Sequence, residues 1–390
     1  MPAPLDGITV VDLTNVLAGP YCTYQLALMG AHVIKVERPG SGDLARQLGA
    51  DPTRNRANMG ISFLAQNAGK SSITVNLKDP RGTEIVRALV KSADVLVENY
   101  RPGVLDRLGL GYETLRKVNP SLIYCAISGF GQDGPWRDNP AYDQIVQGIA
   151  GVMSITGSPE TAPLRAGYPL GDTIGGMTAA FAITSALNAK DRGTFLDVSM
   201  TEAVLSTMGW VVSNHLIGAV QPAAHGNENT TSAPSGTFRT ADQPINIAAN
   251  KDDQWTALAH LLDRKELVDD ARFLTREDRK VNRIALRETL EASLMQAPAA
   301  HWVERLNATG IPCGPVLTVP QVLDSAQVSQ RDLLAEYNGN RVVASPVLMD
   351  GDRPKATSAP PPLGQDTASL LGKLGWSADD IETLRKEAVI

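Results

Sequence analysis

The chain has 390 residues, 43% of them hydrophobic and 20% charged, with a formal net charge of −6. That balance describes a globular protein with a full core, long enough for two domains. It excludes a basic nucleic-acid surface, and no apolar run approaches the roughly 20 residues that a membrane-spanning helix needs.

The first part of the chain alternates strand and helix. Ile8–Leu13 reads as a strand, Tyr21–Met29 as a helix and His32–Glu37 as the next strand. Ser72–Leu77 is a third strand. Gly82–Ser92 carries apolar residues at Ile85, Val86, Leu89 and Val90 and reads as a helix, followed by the strands Asp94–Val97 and Ser121–Ile127. Such alternation gives an α/β fold with a parallel, Rossmann-like sheet, which binds ligands beyond the carboxyl ends of its strands. The loops Val16–Tyr21, Arg38–Asp43, Asn99–Gly103 and Ser128–Pro135 all follow strands and should share one rim. After about residue 200 the texture changes. Gly236–Thr240 and Ile245–Ala249 look like short strands of a smaller α+β unit, Gln254–Asn307 is charge-rich and helical, Val342–Leu363 is proline-rich and extended, and a last helix starts near Ser377.

The first strand–helix unit invites a dinucleotide reading, with Glu37 placed for a ribose hydroxyl. The turn reads Asn15-Val16-Leu17-Ala18-Gly19-Pro20, which lacks the glycine fingerprint, so that reading fails. Cys22, Cys125 and Cys313 are too few and too far apart for a disulfide framework or a zinc site. No two of His32, His215, His225, His260 and His301 stand at helical ligand spacing, so no metal is expected. Met1-Pro2-Ala3-Pro4-Leu5-Asp6 lacks the regions of a signal peptide, which makes a cytoplasmic location the expectation.

The candidate catalytic residue is Asp172, in Gly171-Asp172-Thr173-Ile174-Gly175-Gly176 ahead of an alanine-rich run. A helix N-terminus should keep its carboxylate ionised for nucleophilic attack. The neighbouring glycines should leave room for a substrate. Seen alone, Asp172 reads more readily as an N-cap; the rest of the chain reverses that preference.

In order along the chain stand Asp12-Leu13-Thr14 with Leu17-Ala18-Gly19-Pro20, then Gly30 to Pro39, Gly42-Asp43, Asn67 to Lys70, Asp94 to Gly103, Leu108 to Tyr112, Asn119-Pro120, Ser128 to Pro135, Gly171-Asp172 and Ile311 to Val316. In this order and spacing they resemble the class III coenzyme A transferases, the formyl-CoA transferase and carnitine CoA-transferase family, over essentially the whole chain. The resemblance implies an interlocked homodimer. Each chain would have a large Rossmann-like CoA-binding domain beginning with 1–200, a small domain at 225–325, and a C-terminal segment 326–390 that returns to the large domain. It implies acyl-CoA and a carboxylic acid as substrates, no tightly bound cofactor, and no nucleic-acid or membrane partner. Asp172 becomes the nucleophile, passing through an aspartyl anhydride and an aspartyl-CoA thioester. Val16, Ala18, Arg38, Asn99, Arg101, Arg107 and Tyr142 become CoA contacts, while Pro140 replaces a lysine of formyl-CoA transferase.

The same fold also serves α-methylacyl-CoA racemases, which carry a histidine where Tyr142 stands. A phenol, with a reference pKa near 10, is a poor base near neutrality, so the transferase reading is favoured over the racemase and over a non-catalytic CoA-binding protein. The loop Ala248–Gln254 is poorer in glycine than in oxalate-using members and carries Lys251, so an acceptor other than oxalate is expected. Arg165, His215 and His225 resemble the branch that uses succinyl-CoA and dicarboxylates, and with Asn250 of that loop they are the expected acceptor-binding residues.

Overall fold

The computed structural model describes residues 3–390, which divide into two compact units. The first takes the chain up to Val152, then Arg165–Val220 and Gln327–Ile390; the second takes Met153–Leu164 and Gln221–Ala326. The short run Met153–Leu164 therefore groups with the second unit, although it lies inside the stretch read as the large domain.

The first unit is built on β1 (Thr9–Leu13), α1 (Ala18–Leu28), β2 (His32–Glu37), β3 (Lys70–Thr74), α2 (Pro80–Val90), β4 (Val95–Glu98), α3 (Val104–Arg107), β5 (Ile123–Ser128), α4 (Asp143–Ile149), α5 (Leu170–Leu187), β6 (Thr194–Ser199), α6 (Met200–Thr207) and α7 (Gly209–Leu216). Its six strands run parallel in the order β3-β2-β1-β4-β5-β6. The chain therefore reverses its direction of growth between β1 and β4, and a sheet of this order leaves a crevice at that point. Strand residues alternate between two cores. Val11, Ile34, Leu96 and Tyr124 pack on one face with α2 and the C-terminal helices, while Val10, Val33, Val95 and Cys125 pack on the other with α1 and α5. Burial on both faces explains why these strands read as nearly continuous apolar runs.

The proline-rich stretch read as extended contains part of an antiparallel hairpin, Leu334–Tyr337 with Asn340–Val343. Its turn is Asn338-Gly339, both at positive φ, as a two-residue hairpin turn requires. Asp366 and Thr367 then bond the edge of β3 through Ser72 N and Thr74 N. The last helix starts as expected, with Ser377 and Asp380 forming a capping box.

The second unit has a three-stranded antiparallel sheet, β7 (Ser235–Phe238), β8 (Ile245–Ala248) and β9 (Cys313–Pro315), backed by helices. Trp255, Phe273, Leu290 and Trp302 form its own core. Among the described residues, no helix is long and apolar enough to cross a membrane.

Candidate active site

The loops after β1, β4 and β5 meet at the switch point of the sheet. They line a cavity of about 240 Å³ with Asn15 to Ala18, Asn99 to Pro102, Ile127 to Gly129 and, from further along, Arg137, Asn139 to Tyr142, Asp172 and Met200. The first two loops are tied together by one side chain. Asn99 Oδ1 accepts from Asn15 N at 2.8 Å, and its Nδ2 donates to Asn15 O at 2.8 Å. Asn99 lines the cavity, but its amide is already engaged in this loop-to-loop pairing.

Val16 holds a left-handed backbone, φ 69°, which a β-branched residue adopts only under constraint. The constraint is visible. Val16 N donates to Asp43 Oδ1 at 2.9 Å, and Val16 O accepts from Gln66 Nε2 at 2.8 Å. Asp43 is fixed in turn by Lys35 Nζ at 2.8 Å, with both side chains buried, and Lys35 also donates to Thr14 O. Beside it, Lys70 Nζ bridges Asp12 Oδ2, Thr23 Oγ1 and Pro20 O, pinning the first turn of α1. Burial opposes ionisation of Asp12, but Lys35 and Lys70 overcome it and hold its carboxyl well below the usual range. The buried charges are thus paired and act as scaffolding beneath the cavity loop.

Asp172 is the third residue of α5, not its cap; that position belongs to Pro169, whose side chain makes no capping hydrogen bond. The capping is done from α4. Asp143 Oδ1 accepts from Gly171 N at 2.7 Å and from Asp172 N at 3.4 Å. The helix end therefore does not keep Asp172 ionised as expected. Burial first, and then the Asp143 charge, push its carboxyl up to about 7.

The glycines around Asp172 do not open space for a substrate either. A methyl group on Gly171 would stand 3.0 Å from Val146 Cγ1, one on Gly175 2.7 Å from Met200 Cγ, and one on Gly176 2.4 Å from Ala18 O. They let α4, α6 and α1 close onto α5, and that packing brings Ala18 and Asp172 to the same cavity.

Of the residues singled out from sequence, the cavity gathers Val16, Ala18, Asn99, Arg101, Tyr142 and Asp172. Arg38, Arg107, Arg165 and His215 belong to the same unit but are not in the lining. Arg38 and Arg107 are exposed, Arg165 Nε donates to Ala166 O, and His215 Nδ1 lies 3.1 Å from Val220 O. His225 and Asn250 belong to the second unit.

Sequence reading missed Arg137. It lies just past Gly134-Pro135 on the loop after β5, a rim position like that of Arg101 on the loop after β4. A methyl group on Gly103 would be 3.4 Å from Arg107 Nη1 and 3.6 Å from Arg137 Nη2, so two guanidinium groups converge on one spot. Arg137 Nε is buried without a hydrogen-bond partner among the described residues, and its one ion-pair partner, Asp138, is 3.9 Å away and exposed. A guanidinium pair has the planar donor geometry that suits a phosphate.

Residues 5–367 match the family model described as CoA-transferase family III. The chain is 40% identical to the acetyl-CoA:oxalate CoA-transferase of Acetobacter aceti, over 94% of this chain and 95% of that one. It is 37% identical to the succinyl-CoA:glutarate CoA-transferase of Mus musculus, over 99% and 90%. A crystal structure of a CAIB/BAIF family protein from Brucella suis superposes with a TM-score of 0.85 at 34% identity, covering 96% of this chain and all of that one.

Proposed function

Because the chain belongs to CoA-transferase family III, we propose that it moves CoA from succinyl-CoA, or a similar short acyl-CoA, to a short dicarboxylic or hydroxy-dicarboxylic acid. The observation that carries this reading is Asp172, a half-buried carboxylate facing the cavity at the sheet's switch point. One Asp172 oxygen attacks the thioester carbonyl, the C–S bond breaks, and CoA leaves as thiolate. The thiolate attacks the aspartyl carbonyl of the resulting anhydride, releasing the donor acid and leaving an aspartyl-CoA thioester. The acceptor carboxylate reverses the two steps. Water must be kept from the anhydride, which a half-buried nucleophile favours. Asp143 occupies the amides of α5, so the oxyanion's donors come from the start of α1, which no side chain caps and which opens on the same cavity.

Relatives named for glutarate, D-citramalate and mesaconate support a short dicarboxylate acceptor, and the one named for oxalate extends the range to the shortest member. Mass spectrometry of the acyl-CoA pool tests this. Mixing the protein with succinyl-CoA and each acid in turn should yield a new acyl-CoA with one or two of them. No exchange with any acid sinks the proposal.

Arg107 and Arg137 hold a CoA phosphate in this reading, supplying the charge lost with the lysine that Pro140 replaces. Arg137→Met should raise the KM for succinyl-CoA about tenfold and leave kcat within about threefold. An unchanged KM in steady-state assays removes Arg137 from CoA binding.

The active protein is a homodimer, interlocked as the family resemblance implies. Support comes from Phe181 on α5 and Trp210, Leu216 and Ile217 along and just beyond α7, which are 71–86% exposed. Light scattering should give the mass of two chains, unchanged on dilution. A concentration-dependent return to one chain would exclude interlocking. The three unpaired cysteines and the CoA thioester chemistry fit work in the cytoplasm; fractionation of the source cells tests that location.

A further inference from the structure

We propose that Asp143, braced by Gln147, is a positioning residue that fixes the start of α5 and sets the charge environment of Asp172; this rests on reading Asp172 as the nucleophile. Both Asp143 and Gln147 are buried, and both belong to α4. Asp143 Oδ1 takes the Gly171 and Asp172 amides, while Oδ2 accepts from Gln147 Nε2 at 2.8 Å. Gln147 reaches the approach to the same helix, accepting from Ala166 N at 2.9 Å and donating to Tyr168 O at 3.3 Å. The pair thus holds Ala166, Tyr168, Gly171 and Asp172 against α4. Gly171 permits it, since a methyl group there would lie 3.3 Å from Asp143 Oδ1 as well as against Val146. Tyr142, the residue preceding Asp143, lines the cavity, so one short element positions both the phenol and the nucleophile.

The electrostatic consequence runs against the usual effect of a helix end. Free amides and the helix dipole would favour an ionised Asp172 and weaken it as a nucleophile. Asp143 takes up those amides and adds a negative charge nearby. Arg101, Arg137, Tyr100 and Tyr142 share the cavity, Tyr21 meets α5 at Gly176, and Tyr168 precedes the helix. After burial itself, the charge that raises the proton affinity of Asp172 is that of Asp143 and not of these groups. A carboxylate of higher basicity attacks a thioester faster once ionised.

The test is the pH profile of kcat/KM for CoA exchange in the full-length protein. Asp143→Asn keeps the side-chain shape and removes the charge. Its acid limb, near pH 7 in the parent where Asp172 loses its proton, should move down by about 1 pH unit. Its plateau kcat should fall about tenfold, with the succinyl-CoA KM within about twofold. Gln147→Met keeps the carboxylate and removes its brace, and should lower kcat about fivefold at unchanged KM; it carries the test if Asp143→Asn does not fold. An unshifted limb and unchanged kcat in both variants overturn the proposal. Mass-spectrometric detection of an acyl or CoA adduct on Asp172 separates the two readings. No adduct in the parent removes the nucleophile and the positioning role with it, whereas an adduct with an unshifted profile removes only the role of Asp143.

Discussion

Asp172→Ala should lower the rate of CoA exchange by at least about 10³-fold and leave the affinity for CoA within about twofold. Every covalent step passes through that carboxylate, so its removal leaves no route for the acyl group. Positioning by the cavity alone does not replace a nucleophile that must carry the acyl group and then CoA in turn. CoA affinity should survive because the groups proposed to hold the cofactor stand on other loops. Val16 and Ala18 follow β1, Arg101 follows β4, and Arg137 follows β5. The packing around the site should survive as well, because α5 is capped by Asp143 and fitted against α1, α4 and α6 through its glycines rather than through Asp172. Steady-state rates paired with calorimetric titration of CoA check both halves. Residual exchange above about a tenth of the parent would place the chemistry elsewhere. Loss of CoA binding would make Asp172 a structural residue instead.

The parallel sheet was readable because strands buried on both faces leave long apolar runs, and helices such as Pro80–Val90 show one apolar stripe. The sixth strand, Thr194–Ser199, was not. It has alternating exposed positions, and it pairs with β5 only after the chain has passed through Met153–Leu164 of the other unit. The Asn338-Gly339 turn is legible by the ordinary hairpin rule, but it lies just ahead of the Val342–Leu363 stretch and drew no strand assignment. At the site, Asp172 could be chosen from its setting, but the reason offered was wrong in two respects. A glycine cluster at a helix start has the same sequence signature whether it admits a ligand or another helix, and only the neighbours of Gly175 and Gly176 decide. The charge state of Asp172 depends on Asp143, 29 residues earlier, a tertiary contact that no local pattern announces.

Glu37 is the other position where a large effect is expected, and it shows how a dinucleotide-like outline can be put to another use. Its carboxylate stands at the end of β2, but it faces protein. Oε2 accepts from Arg46 Nε at 2.6 Å and from Asp43 N at 3.0 Å, while Oε1 accepts from Arg46 Nη2 at 2.8 Å and Ser72 Oγ at 2.7 Å. Both members of the ion pair are buried. Burial opposes the charge on Glu37, and the hydrogen bonds and positive charges of Arg46 and Lys35 outweigh it, so its carboxyl lies below the ordinary range. A lowered folded-state pKa stabilises the protein above the unfolded value, and that contribution is lost as pH falls through the folded one. Glu37→Ala leaves Arg46 buried with only Asn58 O, Pro361 O and the Phe63 ring as main partners. Breaking one side of a buried pair costs about 3–5 kcal/mol, which in a unit of this size lowers Tm by about 5–10 °C. Replacing both Glu37 and Arg46 by leucine should cost less than Glu37→Ala alone, because no orphaned charge remains. The loss also reaches the cavity, since Asp43 N loses its acceptor and the Asp43 clamp on the strained Val16 loosens. Calorimetry should therefore show the transition of the first unit moving down, together with a higher KM for the acyl-CoA. A Glu37→Ala protein that melts within about 1 °C of the parent would mean that the Glu37–Arg46 pair is not what holds the cavity loop.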